Sequence, residues 1–150
     1  MMRRTNRRMA LCIVLLVLNL AFIWGNSLLP GSLSGSLSQW VQDCIRRFLS
    51  GVFPPGQSDG GILRKMAHYS EFCLLGAVLE WLFGMVSHCR IRRLSLPLFF
   101  GFLTACVDET IQRFVPGRYS SPIDVCIDTS GVITGILFLS IGYYLYHKRH

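Results

Sequence analysis

The stretch that decides the fold class is residues 3–24, RRTNRRMALCIVLLVLNLAFIW. Four arginines precede an apolar run from Met9 to Trp24 that is interrupted only by Asn19. A basic start followed by an apolar middle is also typical of a cleaved signal peptide. This run is long, however, and it ends in Trp24-Gly25-Asn26 instead of a small-residue cleavage motif. We therefore predict an uncleaved first transmembrane helix over about residues 9–26.

The composition of the whole chain is that of a membrane protein. Of its 150 residues, 51% are hydrophobic and only 15% are charged, whereas soluble chains average about 25% charged residues. A soluble fold of this size would have too little polar surface to cover itself. We predict a single all-α domain over residues 1–150, an integral membrane bundle of about four transmembrane helices plus one amphipathic surface helix. The predicted spans are about 9–26, 62–86, 94–112 and 123–146.

The amphipathic helix is predicted between the first two spans. Apolar residues recur at helical spacing from Leu37 to Val52, with polar residues between them, and Pro54-Pro55-Gly56 ends the pattern. Such a helix is expected to lie along the outer membrane surface or against the top of the bundle.

The third span leaves two alternatives. Its apolar stretch, Leu94 to Val107, would form only about 21 Å of helix, and the hydrocarbon core is about 30 Å thick. Either the segment is re-entrant, or the helix continues and carries Asp108, Glu109 and Gln112 below the outer interface.

The charge distribution predicts the orientation. With four spans, one side of the membrane receives nine basic residues and no acid, namely Arg3, Arg4, Arg7, Arg8, Arg90, Arg92, Arg93, Lys148 and Arg149. The positive-inside rule then places both termini in the cytoplasm. The net charge of +7 could also suggest a nucleic-acid partner. Because the basic residues flank the spans instead of forming one binding face, we expect no nucleic-acid partner.

Polar residues cluster at the opposite, outer side. A charge inside a membrane helix costs at least about 2.5 kcal/mol at the helix centre, so a cluster there requires an explanation. The candidate ligand-binding residues are Lys65, His68, Glu71, Asp108, Glu109, Gln112, Arg118, Asp124 and Asp128. One alternative is a salt-bridged lid that only locks the helices, with Lys65 or Arg118 against Asp108 or Asp124. The acids outnumber the bases, however, which favours a cationic ligand, a metal or a protonated carboxyl group.

A glycine pair is predicted to serve helix packing. Gly131 and Gly135 lie on the same helical face as Asp124 and Asp128. This G-x-x-x-G spacing lets a neighbouring backbone approach closely, either within the chain or between chains.

Motifs for catalysis and metal binding are not found in the sequence. The six cysteines are scattered without a C-x-x-C pair, and the sequence has no H-E-x-x-H signature, phosphate-binding glycine loop or nucleophile motif. We therefore predict no cofactor and no metal, and we assign no catalytic residue.

The polar motifs taken together resemble the VanZ-like family. The resemblance rests on Arg64-Lys65-x-x-His68, Asp108-Glu109-x-x-Gln112, Pro116-Gly117-Arg118, Asp124-x-x-x-Asp128 with Gly131 and Gly135, and Asn26-Ser27-x-x-Pro30. The chain departs from the family at Asp128, where the family usually carries Asn.

The resemblance implies a small multi-pass protein of the bacterial cytoplasmic membrane. The family is named after a member linked to resistance against teicoplanin and related lipid-bearing glycopeptides. Our leading hypothesis is a non-enzymatic module whose outward-facing site binds a lipid-linked cell-wall precursor or a lipoglycopeptide. In this hypothesis Arg118 and Lys65 meet a phosphate or carboxylate of the ligand.

Two alternatives belong to other functional classes. One is a membrane enzyme that uses His68 and the carboxylates as acid, base or metal ligands on a lipid-linked substrate. The other is a structural subunit of a larger membrane complex. Whether the chain forms an oligomer stays open.

Overall fold

The computed structural model describes residues 2–33, 36, 40, 60–87 and 89–149. Its long helices are α1 (Met2–Ser27), α2 (Gly60–Val86), α3 (Arg90–Arg113) and α4 (Pro122–Arg149). These described residues contain no β-strand. Segments long and apolar enough to cross a membrane are Asn6–Ser27, Arg64–Val86, Arg90–Arg113 and Pro122–Tyr146. The predicted all-α class with four membrane-spanning helices is confirmed.

Two sequence predictions are not tested by this architecture. The amphipathic helix predicted for residues 37–52 lies, apart from Trp40, outside the described residues. The assignment of residues 1–150 to one domain likewise stays a prediction.

The third span is one continuous helix. Helix α3 has 24 residues, which corresponds to about 36 Å and exceeds the roughly 30 Å of the hydrocarbon core. Its buried residues follow one side of the helix and are Pro97, Gly101, Ala105, Asp108, Glu109 and Gln112. Of the two alternatives, the helix therefore continues, and it carries its polar residues on the face that packs against the bundle.

The start of α4 is fixed by Ser121 and Pro122. The Ser121 hydroxyl accepts a hydrogen bond from the Ile123 N–H at 3.2 Å, which is the bond of a helix N-cap. Pro122 occupies the first helical position, where a missing N–H costs nothing. The Ser121 N–H itself donates to Glu109 Oε2 at 3.0 Å. The cap therefore ties the first turn of α4, which carries Asp124, to the end of α3.

Helices α2 and α4 form the most extensive contact of the bundle. A Cβ on Gly135 would clash with the Cys73 carbonyl group, and a Cβ on Gly76 would clash with the Val132 carbonyl group. A Cβ on Gly131 would also clash with the Tyr69 carbonyl oxygen of α2, although less severely. The G-x-x-x-G face thus packs within the chain. Next to it lies the apolar core, formed by Ile23, Phe72, Leu75, Leu79, Ala105, Val132 and Ile136.

Replacing Gly135 tests this close approach. In Gly135→Ala the new methyl group meets backbone atoms that cannot rotate away, so we expect the free energy of unfolding to fall by about 3 kcal/mol or more. Gly142→Ala on the same helix is the matched control, because no heavy atom lies within 4 Å of the place that its Cβ would take. Thermal unfolding in detergent measures both. Equal melting temperatures for the two variants would contradict this packing.

Cys89 allows the predicted orientation to be tested. It is exposed and precedes α3, where the backbone N–H groups of Arg92 and Ile91 lower the pKa of its thiol. More of the reactive thiolate is therefore present at neutral pH than for an ordinary cysteine. In a chain whose only cysteine is Cys89, we expect a maleimide that cannot cross membranes to label it only after the cells are permeabilised.

The control for this orientation is a cysteine at the other end of the bundle. Tyr119 is 89% exposed, and a Tyr119→Cys chain without the native cysteines should be labelled on intact cells. The opposite labelling pattern would place the termini outside.

Candidate functional site

A polar cavity of about 190 Å³ lies at the end of the bundle where α2 begins and α3 ends. It is lined by Arg64, Lys65, His68, Glu109, Gln112, Tyr119, Asp124, Ile127 and Asp128. Six of the nine sequence-predicted site residues are among these lining residues. The other three, Glu71, Asp108 and Arg118, belong to the polar network around the cavity. The cavity thus brings together residues of three sequence motifs, Arg64-Lys65-x-x-His68, Asp108-Glu109-x-x-Gln112 and Asp124-x-x-x-Asp128.

The innermost part of the site consists of His68, Asp108 and Asp128. All three side chains are at least nine-tenths buried. One possible ligand atom from each lies within 4.8 Å of the others, and His68 Nδ1 is 3.8 Å from Asp108 Oδ2. Both ring nitrogens of His68, Asp108 Oδ1 and Asp128 Oδ2 are buried without a hydrogen-bond partner. These residues are the ones in the described part of the chain that could hold a metal ion.

Gln112 connects three helices through its side-chain amide. Its Nε2 donates to Asp108 Oδ2 at 2.8 Å and to Ser27 Oγ at 3.3 Å. Its Oε1 accepts a hydrogen bond from Arg64 Nη2 at 2.6 Å. The amide therefore orients Asp108 and Arg64 at the same time, and it holds the end of α1 against α3.

Arg64 and Ser27 were not among the predicted site residues, although both stand in the motifs that carry the family resemblance. One signal was available for Arg64. It precedes His68 by four positions, so the two side chains share a helical face. No comparable signal pointed to Ser27, because its partner Gln112 is 85 positions away.

Arg118 makes its contacts with the loop after α1. Its Nε donates to the Leu29 carbonyl oxygen at 3.0 Å, and its Nη2 donates to the Asn26 carbonyl oxygen. The side chain is only 7% exposed. Burial, and then the charge of Arg64, lower the pKa of Arg118, but an arginine stays protonated because its pKa begins so high. Arg118 therefore joins two loops, and its contact with a ligand stays a prediction.

The residues before Arg118 strengthen the same connection. The Gly31 N–H donates to the Pro116 carbonyl oxygen at 3.1 Å, and a Cβ on Gly31 would clash with the Gly117 carbonyl group. Gly117 has φ +74°, a backbone conformation that favours glycine. The Pro116-Gly117-Arg118 motif thus forms a clip that fixes the C-terminal end of α1.

Lys65 and Asp124 form an ion pair beside the cavity, with Lys65 Nζ 3.4 Å from an Asp124 oxygen. This is one of the pairs named in the salt-bridged alternative. The side chains are 52% and 27% exposed, and ion pairs at such exposure contribute at most about 1 kcal/mol. The pair therefore contributes little to holding α2 and α4 together.

Glu71 and Glu109 bind groups of the surrounding backbone and loops. Glu71 Oε1 accepts a hydrogen bond from Asn26 Nδ2 at 3.2 Å, and Glu109 accepts the Ser121 N–H described above. Glu71 thus connects α2 to the end of α1, and Glu109 connects α3 to α4. Both contacts hold together helices that carry residues of the cavity.

A second polar cluster, which the sequence did not reveal, lies at the opposite end of the bundle. Glu80 is fully buried and accepts hydrogen bonds from Arg93 Nε at 2.8 Å and from Ser140 Oγ at 3.0 Å. The Arg93 guanidinium also lies 5.0 Å from the centre of the Tyr143 ring. This cluster ties α2, α3 and α4 together on the side that we predict to be cytoplasmic.

The fold and the site together define a small helical membrane protein with a polar cavity at one end of its bundle. A family model described as VanZ/LLP1 matches residues 9–143 of the chain. The chain therefore belongs to the VanZ/LLP1 family, and the resemblance seen in its motifs is confirmed. No curated protein and no solved structure matches it significantly.

Replacing Arg118 tests whether it acts as a clip. Arg118→Ala removes two charged hydrogen bonds to backbone carbonyl groups, so we expect the free energy of unfolding to fall by about 2–4 kcal/mol. Arg113→Ala is the matched control, since Arg113 is an exposed arginine at the nearby end of α3. Thermal unfolding in detergent distinguishes them. If Arg118→Ala melts at the wild-type temperature, the clip contributes nothing to stability.

Proposed function

We propose that this chain is a non-enzymatic binding protein of the bacterial cytoplasmic membrane, and that its polar cavity holds the charged headgroup of a lipid-anchored molecule. The observation that carries this proposal is the cavity itself, because it combines two cations with several carboxylates at one end of a membrane bundle. Charged groups at membrane depth are costly and usually functional.

The size of the cavity supports a headgroup as the ligand. Pockets for drug-sized molecules usually measure about 300–1,000 Å³, and this cavity is smaller, at about 190 Å³. It can therefore admit a phosphate or a carboxylate together with a few neighbouring atoms. The remainder of a lipid-anchored ligand would stay in the bilayer or at its surface.

Lys65 is the residue best placed to bind an anionic group. It lines the cavity, it is half-exposed, and its present partner Asp124 is also partly exposed. A ligand phosphate can thus replace Asp124 at the ammonium group while Asp124 turns to a donor of the ligand. Arg64 adds a second positive charge, although one of its nitrogens is already bound to Gln112.

The predicted orientation in the membrane indicates which class of ligand the cavity binds. If both termini are cytoplasmic, the cavity opens at the outer face, where lipid-linked cell-wall precursors and lipoglycopeptides are found. Binding of either molecule there would lower susceptibility to teicoplanin-type antibiotics. This role agrees with the family to which the chain belongs.

A membrane enzyme acting on a lipid-linked substrate is the second candidate. The observation that favours it is the buried group of His68, Asp108 and Asp128, which place one possible ligand atom each within 4.8 Å of the others and also contain buried atoms without a hydrogen-bond partner. A histidine between two carboxylates can transfer protons or bind a metal ion. An altered headgroup composition of the lipids in cells that express the chain would favour this candidate over the binding protein.

The binding proposal is tested by drug susceptibility in a susceptible Gram-positive host. We expect the wild-type chain to raise the inhibitory concentration of teicoplanin several-fold and to leave that of vancomycin unchanged. Lys65→Gln and Asp124→Asn should abolish the increase at equal protein level in the membrane, because they remove charges from the cavity.

The control in this experiment is Arg113→Gln, which removes a charge near the same end of the bundle but outside the residues that line the cavity. It should keep the wild-type effect. Two results would overturn the proposal: no change in teicoplanin susceptibility with the wild-type chain, or a full effect in both cavity variants.

A further inference from the structure

We propose that His68, Asp108 and Asp128 form a binding site for one divalent transition-metal ion, such as Zn²⁺ or Mn²⁺, at the inner end of the cavity. This proposal does not depend on which ligand the cavity binds. It also differs from our expectation from the sequence, which contained no metal-binding motif because the three residues come from three different helices.

The first argument is geometric. One ligand atom of each residue lies within 4.8 Å of the other two. Ligand atoms that share a tetrahedral ion at bond lengths of about 2.0–2.2 Å are about 3.3–3.6 Å apart. To reach these distances, no pair of ligand atoms would have to move closer by more than about 1.5 Å.

The second argument is the state of the buried atoms. His68 is 7% exposed and has no hydrogen bond at either ring nitrogen, and Asp108 and Asp128 each have one buried oxygen without a partner. An unsatisfied buried polar group costs about 1–3 kcal/mol, and more when it is charged. A metal ion would satisfy one atom of each residue at once.

The third argument is charge. The cations near the triad make their contacts with other groups: Lys65 with Asp124, Arg64 with Gln112, and Arg118 with backbone carbonyl groups. The carboxylate of Asp108 receives a hydrogen bond only from a neutral amide. Two buried carboxylates without a bound cation are expensive. One divalent ion would balance the charges of both carboxylates.

The atoms that would bind the ion, one imidazole nitrogen and two carboxylate oxygens, indicate the class of ion. Imidazole nitrogen suits Zn²⁺, Fe²⁺ and Ni²⁺, and carboxylate oxygen suits Mn²⁺ and Mg²⁺, so a mixed set favours a transition metal over Mg²⁺ or Ca²⁺.

The surroundings of the three residues also fit a metal site. The hydrogen bond from Gln112 to Asp108 orients that carboxylate, as outer-shell partners of metal ligands commonly do. His68 and Asp128 also line the cavity. An ion with only three protein ligands therefore keeps a coordination position open toward it.

Metal content of the purified protein tests the proposal. The chain is purified in detergent with its affinity tag removed, treated with a chelator, reloaded with Zn²⁺ or Mn²⁺ alone and dialysed. We expect about one ion per chain by elemental analysis and a rise in melting temperature of several degrees. In Asp128→Asn and His68→Gln we expect at least about tenfold weaker binding and no rise in melting temperature.

Glu80→Gln is the matched control, because it neutralises a buried carboxylate at the opposite end of the bundle; it should bind the ion like the wild type. Asp128→Asn keeps the size of the side chain, so its melting temperature without metal shows that it folds. Less than one tenth of an ion per wild-type chain, or unchanged binding in both triad variants, would overturn the proposal. The metal measurement does not involve drug susceptibility. A failure of the metal-site proposal can therefore be distinguished from a failure of the proposed function.

Discussion

The close approach of the α2 and α4 backbones is the constraint on which the rest of the structure depends. Lipid tails are as apolar as leucine side chains, so helices in a bilayer associate through tight packing and hydrogen bonds instead of the hydrophobic effect. Gly76, Gly131 and Gly135 provide that packing. Because the glycines fix how the two helices are rotated and shifted against each other, they also place His68 opposite Asp128, which lies about one turn before Gly131.

Polar groups complete the bundle at both ends of this contact. At the end that holds the cavity, Gln112 links α1, α2 and α3, while the Arg118 clip holds the loop that follows α1. At the other end, Glu80 binds groups from α3 and α4. The apolar core between the two clusters contributes tight packing, and the clusters contribute directional bonds that are strong where water is scarce.

The sequence predicted the helices well and the contacts between them only in part. Hydropathy was sufficient for the four spans, and helical periodicity correctly grouped Asp124 with Asp128 on one face. The length of the third span could not be decided, because Asp108 is tolerable at membrane depth only when neighbouring helices bury it. The partners of Arg118 and Glu80 were also out of reach, since each pair joins positions that are 60 or more residues apart or lie on different elements. Periodicity describes one helix at a time and says nothing of such pairs.

The amide of Gln112 has a further consequence for the cavity. It stands between a guanidinium group and a carboxylate, and it binds both without letting them meet. A neutral amide in that position orients both side chains but neutralises neither of their charges. The positive charge of Arg64 and the negative charge of Asp108 therefore stay apart at this end of the site. A molecule with separated positive and negative ends would have a preferred orientation beside this pair.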